Sequence, residues 1–263
     1  MVLGLPILAT RLIAINISVG NRVQRTLFGI KFDLDIIWAT VIAVAIVIIL
    51  GLVLRAKATS GVPDKFQLLW EMAIGAIKKQ VEESIGPRGA AIVPLALTLF
   101  VFIFVCNLFE VLSIGATLDW LPAPTSDVNL PFAMALSVIV LVHVSSVRTR
   151  GARGYLKHYL AQPFPAKLFP INLFINGVEE LVKPVTLSLR LFGNLFAGGL
   201  MLSLLASLVI WKLGPVPVGG LLSVPFTVVW KLFDMGIGAV QAFIFALLTI
   251  VYFDMAMATD GSH

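Results

Sequence analysis

The residue with the clearest potential for chemistry is Arg190, which lies inside an otherwise uncharged and largely apolar stretch at residues 184–199. A guanidinium stays protonated at any physiological pH, so burial cannot neutralise it. At the depth of a lipid bilayer such a charge costs from about 3 to more than about 10 kcal/mol, depending on how the cost is determined. We therefore expect Arg190 to face a water-filled cavity or an anionic partner, and to be functional.

Several polar residues lie on the same face of the predicted helix as Arg190. At 100° per residue, a helix places one group of side chains within roughly 20° of Arg190 and a second group about 40° away on either side. The first group is Asn172, Glu179, Lys183 and Met201, and the second is Asn176 and Asn194. A carboxylate and amides around a fixed cation are typical of the lining of an aqueous half-channel.

A second polar stripe runs along the last apolar segment, where Asp234, Gln241 and Tyr252 fall near one face, seven and eleven residues apart. Two helices with polar stripes are what a buried polar pathway requires. Some of these polar residues, taken singly, also have less specific interpretations. An isolated intramembrane amide often hydrogen-bonds between packed helices. Lys231 is expected to snorkel to the membrane surface, and Glu180 to join an interfacial charge cluster.

A group of acidic and amide residues lies between the second and third apolar segments. It comprises Asn107, Glu110, Asp119, Asp127 and Asn129. Residues 113–131 contain no lysine or arginine, which favours a proton-collecting vestibule. A solvated loop explains the same residues equally well, so both interpretations stay open.

The composition places the chain among membrane proteins. Of its 263 residues 59% are hydrophobic and 13% charged, with a mean hydropathy of +1.01, outside the range of water-soluble domains. The net charge of +5 does not indicate nucleic-acid binding, because the basic residues cluster between apolar segments, where they set topology. A single cysteine, Cys106, allows no internal disulfide. Neither a nucleotide-binding loop nor a metal-ligand or nucleophile pattern is present, so we expect no cofactor, no metal and no catalysis.

Apolar segments predict about five membrane-embedded helices. They cover residues 36–54, 90–112, 132–147, 184–212 and 225–257. The last two exceed the length of an upright span, so we expect them to be tilted. Residues 64–83 alternate charged and apolar side chains, which favours an amphipathic interfacial helix. The sequence predicts an all-α integral membrane protein, with residues 1–31 as an N-terminal segment and residues 32–263 as one membrane-embedded domain.

The basic residues also predict an orientation. Residues 55–88 hold six lysines and arginines and residues 148–167 hold five, whereas residues 113–131 hold none. The positive-inside rule puts the two basic regions in the cytoplasm, which places the N-terminus outside and the C-terminus inside. The residues that run against an external N-terminus are Arg11, Arg22, Arg25 and Lys31.

Three motifs resemble subunit a of the rotary ATP synthase membrane sector, the stator partner of the c-ring. The first runs from Lys183-Pro184 through Ser188-Leu189-Arg190-Leu191-Phe192-Gly193-Asn194 to Ala197-Gly198, and the second from Gln241 to Tyr252. A weaker third match joins Asn107-Leu-Phe-Glu110 to Ser126-Asp-Val-Asn129. The resemblance covers about residues 32–257, and the first two motifs in this order are highly specific.

The resemblance implies a proton-conducting stator subunit that forms two offset half-channels against the c-ring. Arg190 would force deprotonation of the rotor carboxylate and prevent a proton short-circuit, with Asn194 and Gln241 lining the path beside it. Asp234 matches a position in the external half-channel, and the usual counterpart of that residue on the arginine helix corresponds to Gly199.

The remaining carried-over positions are less regular. Asn176 replaces an acidic residue found in some relatives, with Glu179 as the nearest substitute, and Tyr252 ends the second motif. The resemblance further implies c-ring proteolipids, b-type peripheral-stalk subunits, the lipid bilayer and protons as partners, in a bacterial plasma membrane crossed several times. ATP chemistry would lie elsewhere in the complex, so the chain would be non-catalytic and would bind neither nucleotide nor nucleic acid.

Three alternatives stay open at this stage. A secondary transporter could bind a small anionic substrate at Arg190, although internal repeats and paired broken helices would then be expected. A structural scaffold could use Arg190 only to neutralise a partner. A sodium-coupled relative is the third alternative, because ion selectivity depends largely on the ring.

Overall fold

The computed structural model describes residues 24–27, 30–59, 61–112, 122–161, 164, 168–207 and 218–257. Two short strands, β1 (Gln24–Leu27) and β2 (Ile30–Asp33), pair antiparallel at the start of this part. Most of the rest is helical: α1 (Leu34–Lys57), α2 (Lys65–Ser84), α3 (Val93–Leu112), α4 (Asn129–Ala161), α5 (Phe169–Ser207) and α6 (Val218–Met257). Short 3₁₀ helices at Gly86–Ile92 and Pro124–Ser126 precede α3 and α4. Of the predicted N-terminal segment 1–31, residues 1–23, 28 and 29 lie outside the described residues.

All of these helices except α2 are long and apolar enough to cross a membrane. Their apolar windows have mean hydropathies from 1.4 to 3.0, and a helix is the form in which a single segment satisfies its backbone groups inside lipid. The prediction of an all-α membrane protein with about five embedded helices and one amphipathic helix is therefore confirmed, with the short β1–β2 ribbon as an unpredicted addition.

The amphipathic helix is α2. It buries Ile77 and Val81 against Ala246 and Ile250 of α6, while its charged side chains remain exposed. Ion pairs one helical turn apart lie on that exposed face, with distances of 3.7 and 3.8 Å for Lys78–Glu82 and Lys79–Glu83.

The helix ends differ from the ends of the apolar segments. α4 extends beyond the predicted residues 132–147 in both directions, and α5 and α6 begin well before Pro184 and Pro225, which lie inside them. Hydropathy marks the part of a helix suited to lipid, whereas the helix itself continues as long as its backbone hydrogen bonds do. The predicted end of the fourth segment, at residue 212, lies outside the described residues.

A break within α4 occurs at Gly151, which has a φ of 71°. This value lies in the left-handed region, which glycine adopts without the steric penalty of other residues. The apolar first part of α4 and its basic last part therefore point in different directions, and the predicted short span corresponds to the first part.

The core is formed by four helices, α3 to α6. Ile103, Val138, Leu187 and Phe245 are among its most buried side chains, one from each helix. α1 lies at the edge, where its small residues Ala39 and Ala43 pack against Val101, Val105 and Cys106 of α3.

α5 and α6 run antiparallel in this core, which positions the candidate site. Lys183 in the first half of α5 lies over the Tyr252 ring near the end of α6. Gly198 in the second half of α5 lies against Asp234 in the first half of α6.

Candidate functional site

Arg190 lies near the middle of α5, with its side chain exposed on the surface of the chain. Its neighbours Leu187 and Leu191 are only 3% and 2% exposed, in the core. Leu189 and Phe196, by contrast, are exposed apolar residues like those that surround them on α6. Among the residues that the structure describes, no acid forms a salt bridge with Arg190. A permanent cation on an apolar surface therefore requires an anion or water from outside this part of the chain.

A groove with a volume of about 510 Å³ lies between α5 and α6, and its lining residue on α5, Asn194, is about one helical turn beyond Arg190. Asn194 and Gln241 are its polar lining residues, and the others are glycine or apolar. The same two side chains also line a narrow cavity on the inner side of the groove, together with Asn107 and Asp234. That cavity offers about 10 Å³ to the centre of a water molecule, which is room for about one water.

The narrow cavity ends in a group of side chains that we call the Asp234 cluster: Asn107, Glu110, Lys231 and Asp234. Asn107 is buried and donates to the Gly238 carbonyl oxygen at 3.0 Å. Lys231 donates to the backbone carbonyl oxygen of Glu110. Both Lys231 and Asp234 act electrostatically on the Glu110 carboxylate, whose Oε2 atom is buried without a hydrogen-bond partner among the described residues.

Asp234 itself is held close to the backbone of α5. A Cβ atom added to Gly198 would lie 2.8 Å from Asp234 Oδ1, so only glycine leaves room for the carboxylate there. The Trp230 indole donates to the Gly198 carbonyl oxygen at 3.3 Å, which fixes the same approach from the α6 side.

One expectation about this region is wrong. Lys231 does not snorkel outward: its side chain is 8% exposed and is held by the Glu110 carbonyl group. The residue of α5 that contacts Asp234 is Gly198, whereas an added Cβ on Gly199 would meet nothing within 4 Å. Motif alignment gives a position along the helix, but contact depends on helix rotation, which differs by 100° between adjacent residues.

A second group, the Lys183 cluster, lies on the other side of Arg190 along α5. It comprises Glu179, Glu180, Lys183 and Tyr252. Lys183 Nζ lies 3.0 Å from Glu179 Oε1, 2.9 Å from Glu180 Oε1 and 5.7 Å from the centre of the Tyr252 ring. The charged first half of α5 thereby contacts α6. His143 and Tyr155 of α4 also join this group, and sequence reasoning did not single them out because they come from a different helix.

Arg190 lies between the two clusters. At about 1.5 Å per residue, it is roughly 10 Å along α5 from Lys183 and roughly 12 Å from Gly198. The interior between them is filled by Leu187, Leu191 and Phe245, each no more than 3% exposed. The described part of the chain therefore has polar clusters at two levels, with the cation on the outer surface between them. The packing that separates them inside is apolar except for the Ser188 and Thr249 hydroxyls, which donate to carbonyl oxygens of their own helices.

The other predicted residues are less closely connected to this arrangement. Asn176 lies half-buried on α5. Asp127 accepts a hydrogen bond from the Asn129 backbone N–H at 2.8 Å, at the start of α4. Asn107 is linked to this region because Thr125 donates to its Oδ1 at 3.1 Å. Asp119 lies outside the described residues.

Asn172, which was predicted on the polar stripe, has a structural role. Its side chain is fully buried and donates to the carbonyl oxygens of Leu160 and Phe164 at 2.9 and 2.7 Å, while it accepts from the Phe164 N–H at 3.1 Å. It therefore holds the connection between α4 and α5. No group of three or more histidine, cysteine or acidic residues in the described ranges is arranged to hold a metal ion.

Comparison with known proteins agrees with the motifs. A family model described as ATP synthase A chain matches residues 36–254. ATP synthase subunit a of Acidothermus cellulolyticus is 46% identical over 95% of this chain and 86% of its own length. The proteins of the same name from Mycobacterium leprae and Shewanella sp. MR-4 are each 40% identical, over 94% and 76% of this chain and 96% and 78% of their own lengths. Because the family match spans most of the chain and these bacterial relatives are aligned along most of their lengths, this membrane protein belongs to the ATP synthase A chain family.

Proposed function

We propose that the chain is the proton-conducting stator subunit of an ATP synthase membrane sector, with one half-channel at each polar cluster. The observation that carries this proposal is the position of Arg190, exposed between two polar groups that apolar packing separates. A single continuous channel would need free polar groups at the level of Leu187, Leu191 and Phe245. The buried hydroxyl groups there, of Ser188 and Thr249, donate to backbone carbonyl oxygens of their own helices.

The external half-channel leads through the Asp234 cluster. Asn107, Glu110 and Asp234 provide groups that exchange or orient protons, and the narrow cavity has room for a water between them and the groove. Asn194 and Gln241, which line both spaces, orient the water through which the proton reaches the surface that faces the ring.

The acid that receives the proton comes from a partner. Arg190 has no acidic partner among the described residues, and the surface around it is apolar, with Leu189, Leu232 and Phe233 more than half exposed. A ring of proteolipid helices that carries one carboxyl group per subunit matches such a surface. The peripheral stalk is the second expected partner, and the bilayer covers the remaining apolar surface.

Arg190 then acts on the rotor carboxyl group. In lipid that group holds its proton, because an unpaired charge there is unfavourable. Next to Arg190 the ionised form is stabilised, so the proton leaves through the Lys183 cluster. The fixed cation also repels protons that would cross directly between the two half-channels. Each proton that crosses provides about 2.3 kcal/mol per 100 mV of membrane potential, which drives rotation.

The assignment of sides follows the distribution of basic residues. The Asp234 cluster faces the outside and the Lys183 cluster the cytoplasm, in a bacterial plasma membrane with the N-terminus outside and the C-terminus inside. In this arrangement the chain carries protons while ATP is made or hydrolysed elsewhere in the complex, so the chain itself is not an enzyme.

Replacement of Arg190 by alanine tests the proposal. We expect R190A complexes to assemble but to lose ATP-driven acidification of inverted membrane vesicles, and to leak protons passively once the cation is absent. R148A, which removes an exposed arginine from the basic part of α4, is the matched control and should pump normally.

Three outcomes would contradict the proposal. Normal pumping by R190A complexes would show that the arginine is not the stator charge. Complexes that fall apart in R190A, but not in R148A, would instead support a structural scaffold. Loss of the uptake of a small anion with normal pumping would support a transporter.

A further inference from the structure

A hydrogen-bonded chain of side chains leads from the Lys183 cluster into α4. Glu180 Oε1 lies 2.9 Å from Lys183 Nζ, and its other oxygen, Oε2, lies 3.2 Å from His143 Nε2. The second ring nitrogen, His143 Nδ1, lies 3.2 Å from the Tyr155 hydroxyl oxygen. We call His143, Tyr155 and Glu180 the His143 chain; none of the three belongs to the residues predicted to carry protons.

The His143 chain forms because α4 is broken. His143 and Tyr155 are twelve residues apart in sequence, and a straight helix would separate them by about 18 Å along its axis. The left-handed conformation of Gly151, between them, turns the last part of α4 back. The two rings then meet with centroids 6.0 Å apart. The fold thus creates a contact that a regular helix excludes.

The exposure of the side chains increases from Lys183 outward along the His143 chain. The side chains of Lys183, Glu180 and His143 are 17%, 23% and 32% exposed, in that order. Side chains that only hold α4 against α5 would not need such an order. A proton path to water, by contrast, requires its outer residues to reach solvent. Every member also has a group that can both accept and release a proton.

We propose that His143 is a proton-carrying residue of the inner half-channel, placed between Glu180 and Tyr155. This inference rests on the proposed function. A proton released at Arg190 reaches the Glu180 carboxylate and passes to His143 Nε2. The imidazolium releases the proton of Nδ1 through the Tyr155 hydroxyl to water, which leaves the ring as the Nε2–H tautomer. Proton transfer between the two ring nitrogens through water restores the Nδ1–H tautomer before the next proton arrives. Only N–H and O–H bonds form and break, and the net charge of the chain is restored in each cycle.

The charged groups around His143 suit this role. On α5, the Glu180 carboxylate faces His143 Nε2, and Lys183 pairs with both Glu180 and Glu179. On α4, Tyr155 is the outer partner, and on α6, Tyr252 lies behind Lys183. Histidine side chains serve as proton shuttles in proteins, and here one ring nitrogen faces a carboxylate and the other a hydroxyl group.

The test uses inverted membrane vesicles that contain the whole complex, in which the cytoplasmic side faces the medium. We expect H143Q, which keeps a hydrogen-bonding side chain but cannot form an imidazolium, to slow ATP-driven acidification several-fold. The slowing stays below the about 100-fold typical of a lost general acid–base group, because water near the exposed end replaces part of the path. H143A should be slow too, and imidazole added to the medium should restore it.

Matched controls separate transport from assembly. E83Q removes an exposed carboxylate from α2, and T149V removes a hydroxyl that bonds only within α4; both should leave pumping unchanged. Y155F removes the outer hydroxyl alone and should reduce the rate less than H143Q does. Co-purification of the ring with each variant reports assembly, so Y155F tests the chain even if a His143 variant fails to assemble.

The outcomes distinguish this inference from the proposed function. Normal pumping by H143Q, or an H143A rate that imidazole does not change, would overturn the role of His143. If R190A abolishes pumping at the same time, the proposed function stands and only the His143 chain is rejected. If R190A pumps normally, the proposed function fails first.

Discussion

The two polar clusters on either side of Arg190 are built in different ways. In the Asp234 cluster, side chains bond to backbone: Asn107 to the Gly238 carbonyl, Lys231 to the Glu110 carbonyl. In the Lys183 cluster, side chains bond to each other, and Glu179 is half exposed. The first is therefore fixed by the fold and nearly closed, whereas the second is open and can rearrange.

The difference indicates where proton transfer depends on individual groups. A buried path with room for about one water has no substitute for a missing carboxylate. An open path has water and neighbouring acids. We therefore expect substitutions in the Asp234 cluster to have larger effects than matched substitutions in the Lys183 cluster.

The largest effect is expected for Asp234→Asn. The amide keeps the shape of the side chain but cannot exchange a proton, so ATP-driven pumping should fall by about 100-fold or more. D254N, on the same helix beyond Tyr252, serves as the control and should retain pumping. Acidification of inverted vesicles measures both. A D234N rate close to that of D254N would mean that protons enter elsewhere, and the comparison of the two clusters would lose its basis.

The next effect is expected for Lys231→Met. This change removes the donor to the Glu110 carbonyl group and leaves two acids without the neighbouring cation. Loss of a buried hydrogen-bond donor costs about 1–3 kcal/mol, so the complex should dissociate at a lower temperature. K57M, at the exposed end of α1, should dissociate at the parental temperature. Equal dissociation temperatures for K231M and K57M would show that Lys231 does not stabilise the cluster.

A smaller effect should distinguish two adjacent glycines. In G198A the new Cβ would lie 2.8 Å from Asp234 Oδ1, so the carboxylate must move and pumping should fall several-fold. In G199A the methyl group enters open space, and helix stability should rise by about 0.8–1 kcal/mol. Pumping rates and dissociation temperatures of the two variants are compared directly. The reverse order would show that Gly199, and not Gly198, faces Asp234.

Sequence reasoning located the helices well because lipid imposes a strong pattern. Apolar segments of sufficient length predicted α1, α3 and the end of α6 closely, since a spanning segment has few alternatives to a helix. The same pattern could not predict that α5 begins at Phe169. The charges at Glu179, Glu180 and Lys183 lower the hydropathy there, and one partner of Glu180, His143, comes from another helix.

The site was predictable along each helix but not between helices. Helical periodicity placed Lys183 and Asn172 on the face of Arg190, yet Lys183 binds Glu179 and Glu180 while Asn172 closes the α4–α5 connection. Periodicity gives a direction and not a partner. The contact of His143 with Tyr155 depends on one left-handed φ at Gly151, which residue patterns alone do not reveal.

The smallest effect is expected for Glu179→Gln, in the open cluster. Glu179 is 49% exposed, and Lys183 retains Glu180 at 2.9 Å after the change. An exposed ion pair contributes about 0.2–1 kcal/mol, so the dissociation temperature should change little, and pumping should stay near the parental rate because water and Glu180 remain available. E82Q, which breaks an exposed pair on α2, provides the reference for a change without functional consequence. If E179Q were instead as inactive as D234N, the inner path would depend on a single acid. Both half-channels would then depend equally on one carboxylate.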